Sequence, residues 1–186
     1  MEPNLPRRLR RDRTALLVVD FQERLLPAIH DPESVVAAAV QLIRGARELD
    51  VPVLLTEQYP RGLGPTVEPV RTAVGALTAF EKTAFSAWGA AGLPERLRDL
   101  GAADILLCGI EAHVCVCQTA LDLLDAGFRV FVAEDAVSSR TRANRTIGLD
   151  RMRQAGALPV SVEMVLFELL TRAGTEEFKR VLKLVK

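Results

Sequence analysis

The sequence predicts an α/β fold of three layers, with helices on both faces of a mostly parallel central sheet. Short, unbroken aliphatic runs such as residues 15–19 are typical of strands that are buried on both faces of a parallel sheet. Between these runs lie longer segments whose apolar residues recur with helical spacing. Because strands and helices alternate along the chain, the helices are expected to cover both faces of the sheet.

The first half of the chain contains three predicted strands and two predicted helices. The strands are residues 15–19, 53–56 and 80–82, and the helices are residues 33–49 and 93–100. Asp31 and Pro32 suit the N-cap and first position of the long helix, and Gly101 ends the shorter one. Prolines and glycines predict a loop without regular structure at residues 57–65. Residues 68–78 are weakly patterned, and either a loop or a short helix fits them.

The second half continues the alternation. Strands are predicted at residues 105–108, 128–133 and 158–162, and helices at residues 116–126, 141–155, 163–170 and 176–185. Gly127 and Gly156 follow two of these helices as stop signals. The sequence contains no internal repeat and no linker, so residues 14–186 are predicted to form a single domain.

Residues 1–13 are predicted to form a basic N-terminal arm. They contain five arginines together with Pro3 and Pro6. A transit peptide is the alternative, but serines are missing and acidic residues are present. We therefore expect the arm to pack on the domain or on a neighbouring subunit.

Composition narrows the classes of partner and the compartment. The formal net charge of the 186 residues is zero, which argues against a nucleic-acid or membrane-surface partner that needs a strong basic field. No apolar run approaches the roughly 18 residues of a membrane span. Three cysteines without a secretory framework or signal segment predict a cytoplasmic protein. With two histidines in the chain, we predict no metal site and no cofactor.

Three reactive side chains lie at the end of a predicted strand or in the turn beyond it: Asp20, Lys82 and Cys115. Ligands of such sheets bind beyond the carboxyl ends of the strands. Residues 109–119, GIEAHVCVCQT, turn tightly into a helix near Cys115. The N–H groups and dipole at a helix start favour a thiolate and can receive the charge of a carbonyl under attack. A thiol, an acid and an ammonium group together suit nucleophilic acyl transfer.

Each of these residues also has a structural alternative when spacing is considered alone. Asp20 could cap a loop, and Lys82 could be a solvated surface charge. Cys115 could be a small buried apolar residue, which is the common fate of an unpaired cysteine.

Three ordered motifs resemble the isochorismatase-like cysteine hydrolase family. They are LVVDFQ at residues 17–22, FEKTAFS at residues 80–86, and the segment from Gly109 through Cys115 to Asp122. The resemblance runs from about residue 14 to residue 170 and includes EDA at residues 134–136. The TEQYP…GLG loop at residues 56–64 resembles the subgroup called isochorismatase domain-containing proteins.

The resemblance implies a catalytic triad of Asp20, Lys82 and Cys115. Asp20 would take the thiol proton and later deliver it to the leaving amine, while Lys82 would stabilise both anions. The thiolate would attack a carbonyl carbon, and backbone N–H groups of Glu111 and Cys115 would form the oxyanion hole. Water would then hydrolyse the thioester. A non-proline cis peptide at Ile110–Glu111 and a homo-oligomer, dimer or larger, are also implied.

The chain departs from the family pattern at two places. Ala112 and His113 stand where the family usually has a Thr-Asp pair before the cysteine. Nicotinamidases carry metal-binding histidines after strand two, where this chain has Thr56-Glu57-Gln58-Tyr59. We therefore expect no metal-dependent nicotinamide binding. The family's namesake reaction cleaves a vinyl ether without needing the cysteine, so Cys115 favours amide chemistry.

Other residues near these motifs are candidates for the substrate pocket. They are Phe21, Gln22, Tyr59, Phe85, Trp88 and His113. Ordinary core or subunit-interface packing is the alternative for the aromatic residues. Cys108 is expected in the core, and Cys117, two residues after Cys115 on a helix, is expected to point away from it.

The sequence thus predicts a metal-free cysteine hydrolase of a small amide or related acyl substrate, acting through a Cys115 thioester. The alternative is a catalytically idle binding or scaffolding protein that keeps the hydrolase fold, which the missing Thr-Asp pair motivates. A phospho-receiver domain also uses an Asp and a Lys at strand ends. It fits less well, because the chain is long and no second acid adjoins Asp20.

Overall fold

Six parallel strands form the central sheet of this computed structural model, which describes residues 8–186. They are β1 (Thr14–Val19), β2 (Val53–Gln58), β3 (Phe80–Lys82), β4 (Asp104–Ile110), β5 (Arg129–Ser138) and β6 (Leu158–Val160). Their order across the sheet is β3-β2-β1-β4-β5-β6, and all neighbouring pairs are parallel. The strand order reverses between β1 and β4, and open α/β sheets bind ligands at such a reversal.

Helices cover both faces of this sheet. They are α1 (Pro32–Glu48), α2 (Pro60–Leu63), α3 (Glu68–Val74), α4 (Leu93–Asp99), α5 (Cys115–Asp125), α6 (Arg142–Gln154), α7 (Val162–Leu170) and α8 (Glu176–Val185). One buried cluster joins Leu16 and Val18 to α1, α3, α7 and α8. A second joins Leu17 and Val19 to α4, α5 and α6. The predicted three-layer α/β fold is confirmed.

The alternating directions of the β1 side chains explain why the domain has two hydrophobic cores. Successive side chains of a strand point to opposite faces, and all six residues of β1 are buried. An unbroken aliphatic strand therefore requires a helical layer on each side.

Strand β5 is longer than the sequence predicts. It continues past residue 133 through Glu134 and Asp135 to Ser138. Its register against β4 shifts between the Leu107–Val132 and Gly109–Val137 pairs, so β5 carries extra residues that bulge out of the ladder. The acidic pair lies in this bulge, where it interrupts the aliphatic run that marks the strand in the sequence.

Two further predictions require correction. Residues 57–65 are not wholly irregular, because β2 extends to Gln58 and Pro60 begins the short helix α2. Asp31 occupies the N-cap position of α1, but its backbone is left-handed with φ 51° and its side chain accepts no cap hydrogen bond. The weakly patterned residues 68–78 contain helix α3.

The predicted basic arm lies partly outside the described residues, which begin at residue 8. Its remaining part packs on the last two helices. Leu9 is almost fully buried, and its N–H donates to Glu168 at 2.9 Å. Arg11 donates to the carbonyl of Leu169 at 2.7 Å and forms an ion pair with Glu177 at 2.9 Å. None of the helices within residues 8–186 has the length and apolar character needed to cross a membrane.

Candidate active site

The three candidate catalytic side chains meet beyond the carboxyl ends of the central strands. Asp20 follows β1 directly, Lys82 is the last residue of β3, and Cys115 is the first residue of α5. Asp20 is 0%, Lys82 4% and Cys115 5% exposed, so all three are held almost entirely out of water. Lys82 reaches Asp20 across the end of β2, which lies between β3 and β1 in the sheet.

Asp20 and Lys82 form a buried ion pair. Lys82 Nζ donates to Asp20 Oδ2 at 2.6 Å, and the hydroxyl of Thr56 donates to Asp20 Oδ1 at 2.7 Å. Asp20 itself has a left-handed backbone with φ 56°, which turns the chain sharply away from the end of β1. Both carboxylate oxygens therefore have a donor, as a charge removed from water requires.

Lys82 is held from several directions. Besides Asp20, its ammonium group donates to Gln58 Oε1 at 2.7 Å and to the carbonyl of Phe85 at 3.0 Å. Gln58 is fixed in turn, since its Nε2 donates to the carbonyl of Thr83 at 2.9 Å and its N–H donates to Gln22 Oε1 at 2.7 Å. The ammonium group is thus fixed in place beside the Asp20 carboxylate.

The Cys115 thiol lies against Asp20. Burial, followed by the negative charge of Asp20, raises the pKa of Cys115 to about 12, although the positive charge of Lys82 acts in the opposite direction. The proximity of the Asp20 carboxylate thus favours the protonated form of the thiol. The helix start was expected to favour a thiolate, but burial and the neighbouring carboxylate outweigh that effect. The resting group is a thiol with a base beside it.

The turn before Cys115 has the predicted backbone geometry. The peptide bond between Ile110 and Glu111 is cis. The Glu111 carbonyl accepts the N–H groups of Val114 at 3.1 Å and Val116 at 3.2 Å. At the other end of the first helical turn, the Thr119 hydroxyl donates to the carbonyl of Cys115 at 2.6 Å. The backbone of Cys115 is therefore held on both sides.

Four of the predicted pocket residues have side chains with exposed surface. Tyr59 is 54% and Phe85 55% exposed. Tyr59 follows Gln58 directly, and Phe85 lies three residues after Lys82. Trp88 is half-buried, packs edge-on against Phe128 at 5.8 Å, and lies under the guanidinium of Arg98. His113 is half-buried, and its Nδ1 lies 3.0 Å from the hydroxyl of Ser139.

The structure does not bring Phe21 and Gln22 to a pocket surface. Phe21 is fully buried in the core on the α1 side of the sheet. Gln22 is also fully buried, and its Nε2 donates to the carbonyls of Gln58 at 3.0 Å and Gly64 at 2.7 Å. Gln22 therefore binds the loop after β2 to the loop after β1.

A groove of about 490 Å³ lies beside β3, and neither Asp20 nor Cys115 contributes to its wall. Tyr59, Arg61, Glu81 and Lys82 contribute to its wall. The side chain of Lys82 is fully buried, so its backbone faces this groove while its ammonium group faces Asp20. No group of three or more His, Cys, Asp or Glu side chains in residues 8–186 is placed to hold a metal ion.

The sequence analysis missed three residues that bond to the candidate catalytic residues, namely Thr56, Gln58 and Thr119. Thr56 and Gln58 are two residues apart near the carboxyl end of β2, so their side chains point to the same face of the sheet. This end of β2 lies between β1 and β3. Polar side chains two apart at the end of a buried strand were the available signal. Thr119 shows no such signal, because it reads as an ordinary helix residue.

Glu134 and Asp135, from the EDA segment at residues 134–136, both have structural partners. Both oxygens of Asp135 accept the N–H of Val162 at 3.0 Å, at the start of α7. Glu134 forms an ion pair with Arg153 at 2.5 Å. In this structure both residues join secondary-structure elements.

The region that matches known proteins contains the same motifs. The model of the isochorismatase domain family matches residues 14–164. Isochorismatase domain-containing protein 2A of Mus musculus is 41% identical over 175 residues, covering 92% of this chain and 82% of the relative. Isochorismatase domain-containing protein 2 of Homo sapiens is 40% identical over 177 residues, covering 93% and 83%.

Solved structures with the same fold include proteins with and without a stated activity. A structure described as MAR1 ribonuclease from Caenorhabditis elegans has a TM-score of 0.89 and 37% identity, covering 96% of this chain and 92% of that one. YcaC from Pseudomonas aeruginosa, solved with hexane-2,5-diol and covalent acrylamide, has a TM-score of 0.89 and 27% identity, covering 96% and 91%. The YcaC gene product of Escherichia coli, described as an octameric hydrolase of unknown specificity, has a TM-score of 0.89 and 25% identity, covering 99% and 92%.

The family model covers most of the chain, and curated relatives align over nearly all of it at about 40% identity. The match also includes the ends of β1, β3 and β4, where the buried ion pair and the thiol lie. This chain therefore belongs to the isochorismatase family.

Proposed function

We propose that this protein is a cysteine hydrolase of a small amide or related acyl compound, with Cys115 as nucleophile. The observation that carries the proposal is the Cys115 thiol beside a carboxylate that a buried ammonium group holds at 2.6 Å. A thiol, a base within reach and a third group that orients the base form the arrangement needed for an activated nucleophile. The proposal gives Asp20 the role of general base and Lys82 that of its partner.

The charges of the site favour transfer of the thiol proton to Asp20 over its release to water. Release to water would leave two anions, Cys115 and Asp20, beside the single cation of Lys82. Transfer from Sγ to the Asp20 carboxylate leaves one anion and one cation, as before. The raised pKa of Cys115 therefore opposes a standing thiolate without opposing attack that is coupled to this transfer.

The proposed reaction has two halves. In the first, Sγ bonds to the carbonyl carbon as its proton passes to Asp20, and the carbonyl oxygen gains the negative charge. That oxygen accepts hydrogen bonds from the N–H groups of Glu111 and Cys115. The C–N bond then breaks as Asp20 returns the proton to the leaving amine. In the second half, water attacks the thioester while Asp20 takes its proton, and the sulfur leaves and is reprotonated.

One structural relative was solved with small molecules bound. The Pseudomonas aeruginosa protein was solved with covalent acrylamide, a small primary amide that is also a thiol-reactive electrophile. For this chain we propose that acrylamide-sized compounds reach Cys115 from the side of Tyr59 and Phe85. The name of the Caenorhabditis elegans relative states a ribonuclease. The zero net charge of this chain gives no general attraction to RNA and favours a small molecule.

The test uses Cys115→Ala and the matched control Cys117→Ala in a panel of small amides and esters. Cys117 lies on the same helix and is also almost fully buried. Cys115→Ala is expected to abolish hydrolysis, and Cys117→Ala is expected to retain it. Intact-mass measurement after rapid acid quench should show an acyl adduct on the wild type and none on Cys115→Ala. Undiminished hydrolysis by Cys115→Ala would reject the proposal.

A catalytically idle binding protein is the second candidate. The observation in its favour is that the thiol is 5% exposed and has a raised pKa. This candidate predicts that a ligand found by thermal-shift screening binds wild type and Cys115→Ala equally, with no turnover and no acyl adduct in either.

We also propose that the protein is a cytoplasmic homo-oligomer. Large apolar side chains at Ile147 and Met164 are 64% and 51% exposed, and the Escherichia coli relative is described as octameric. Sedimentation velocity should show a species larger than a monomer, and a purely monomeric protein at micromolar concentration would contradict this. The three cysteines form no disulfide bond, as expected in a reducing compartment.

A further inference from the structure

The last residue of β5 and the two residues after it contact three consecutive residues of the turn that precedes Cys115. The carbonyl of Ser138 accepts the N–H of Ala112 at 2.7 Å. The hydroxyl of Ser139 lies 3.0 Å from His113 Nδ1. Arg140 Nε donates to Glu111 Oε1 at 2.9 Å, with a longer contact of 3.4 Å between Nη2 and Oε2.

The segment 138–140 is itself anchored from behind. The hydroxyl of Ser138 donates to the carbonyl of His30 at 2.6 Å, and the N–H of His30 donates to the carbonyl of Ser139 at 2.9 Å. These bonds tie the segment to the chain just before α1. It is therefore a fixed support for the turn, which we call the 138–140 clamp.

The two partners of the ion pair in this clamp differ in exposure. The side chain of Glu111 is 9% exposed, whereas that of Arg140 is 61% exposed. Glu111 thus holds a nearly buried carboxylate on the nucleophile's own turn, and Arg140 is the cation that neutralises it from the solvent side. Without that cation, a negative charge would stand close to where the thiolate and the oxyanion must form.

We propose that Arg140 is a positioning residue for the nucleophile turn, which anchors Glu111 and neutralises its carboxylate beside Cys115. This inference rests on the proposed role of Cys115 as nucleophile. Arg140 touches Glu111, so it acts on the reaction only through the turn that Glu111 begins.

The electrostatics around the thiol agree with this role. The charged groups that act on Cys115 are Asp20 from the end of β1, Lys82 from β3 and Glu111 from its own turn. The negative charge of Glu111 raises the pKa of Cys115. An exposed guanidinium bonded to that carboxylate offsets its charge, so loss of Arg140 and loss of the Glu111 charge should change thiol reactivity in opposite directions.

The experiment measures the alkylation rate of Cys115 by acrylamide in Arg140→Gln, Glu111→Gln and the double variant, with the modified residue identified by peptide mass. Arg140→Gln should slow alkylation at neutral pH by about fivefold, the scale of one partly screened charge. Glu111→Gln should accelerate it, and the double variant should return close to the wild-type rate. Arg140→Lys, which keeps the charge but loses the fork geometry, should lie between wild type and Arg140→Gln.

Arg142→Gln is the matched control. Arg142 lies two residues from Arg140, is exposed, and donates to the side chain of His30 at 2.8 Å, whereas Arg140 donates to Glu111. It should leave the alkylation rate unchanged. A rate for Arg140→Gln equal to wild type, or shifts of the same sign in Arg140→Gln and Glu111→Gln, would overturn the proposal, because a merely structural loss slows or loosens both variants alike.

Turnover gives a second and separate readout. With any substrate found for the wild type, Arg140→Gln should lower kcat by about fivefold with little change in KM, since the effect acts on developing anions rather than on ligand binding. If hydrolysis persists in Cys115→Ala, the proposed function fails. The alkylation comparison still decides the role of Arg140 in that case.

Discussion

Lys82 is an ammonium group that the fold has removed from water, and the surrounding residues compensate for this. Asp20, Gln58 and the carbonyl of Phe85 accept hydrogen bonds from this group. A buried charge has lost its hydration, and the interaction with its partner must offset that free-energy cost. Removing the partner is therefore more destabilising for a buried charge than for a surface charge. The buried charge of Lys82 and that of Asp20 therefore depend on each other.

Lys82→Met should strongly destabilise the protein. It leaves the Asp20 carboxylate buried without a cation, beside the Thr56 hydroxyl and the Cys115 thiol, and breaking a buried pair in this way costs about 3–5 kcal/mol. Urea denaturation would measure the loss in free energy of unfolding. Lys179→Met is the control, since its ion pair with Glu176 is exposed and should change stability by about 0.5 kcal/mol or less. Equal effects of the two substitutions would contradict this view of Lys82.

The ionisation of Cys115 provides a pH-dependent prediction. With a pKa of about 12, the thiol keeps its proton across the neutral and mildly alkaline range. The difference in thiolate ultraviolet absorbance between wild type and Cys115→Ala should therefore show no ionisation midpoint up to pH about 10, whereas an ordinary thiol would titrate near about 8.5.

Asp20→Asn should move that titration to lower pH, because it removes a negative charge that raises the pKa and leaves the Lys82 charge that lowers it. The same variant should lose hydrolysis, since the proposed base is gone. A wild-type midpoint near that of an ordinary thiol, or an upward shift in Asp20→Asn, would refute this account of the thiol.

At the scale of elements, the site depends on how closely β1 and β4 approach each other. Gly109, near the end of β4, has φ 145°, and a Cβ there would lie 2.3 Å from the carbonyl oxygen of Val19. Val19 immediately precedes Asp20. A side chain at residue 109 would therefore push apart the two strand ends that bring the carboxylate and the thiol together.

Gly109→Ala should accordingly destabilise the fold by about 3 kcal/mol or more, since it combines a backbone clash with a disfavoured φ. Gly101→Ala serves as control, because Gly101 also has a positive φ, of 62°, but nothing lies within 4 Å of the added Cβ. That variant should cost about 1 kcal/mol. Thermal unfolding of both proteins would compare them. Similar losses would show that the contact with Val19 is easily relieved.

Across the whole molecule, the two ends of the described chain meet. Residues 9–11 pack on α7 and α8, while α8 packs on α1 over one face of the sheet. Leu9 is among the largest fully buried side chains and belongs to the α1-side core. Part of the basic arm, which was predicted to pack on the domain or on a neighbouring subunit, thus packs on the domain and is expected to contribute to its stability.

Leu9→Ala should lower the free energy of unfolding by about 2–4 kcal/mol, because it leaves a cavity in this core. Alkylation of Cys115 should be unaffected, since Leu9 lies in the other core from the one that contains Cys115. Chemical denaturation combined with mass-detected labelling would test both statements. A loss below about 0.5 kcal/mol would show that the segment is only loosely attached.

Much of this architecture was predictable because its signals are local. The aliphatic run of β1 and the helical spacing of α1, α5 and α6 follow from side chains that repeat every two or every three to four residues. Strand β5 was cut short because Glu134 and Asp135 look like a strand end, although the bulge that accommodates them depends on the register against β4. Gln22 was predicted to line a pocket because it lies in a matching motif. Only the folded structure shows that its amide is buried and donates to the carbonyls of Gln58 and Gly64.

The fold class, the order of the elements and the family can all be inferred from the amino-acid sequence, because periodicity and ordered motifs are local properties of the chain. The tertiary structure decided which side chains touch. It brought Lys82 across β2 to Asp20, placed Arg140 on Glu111, and made burial rather than the helix start the dominant influence on the Cys115 thiol. Distances and desolvation depend on how strands from distant parts of the chain pack side by side, and no local pattern encodes them.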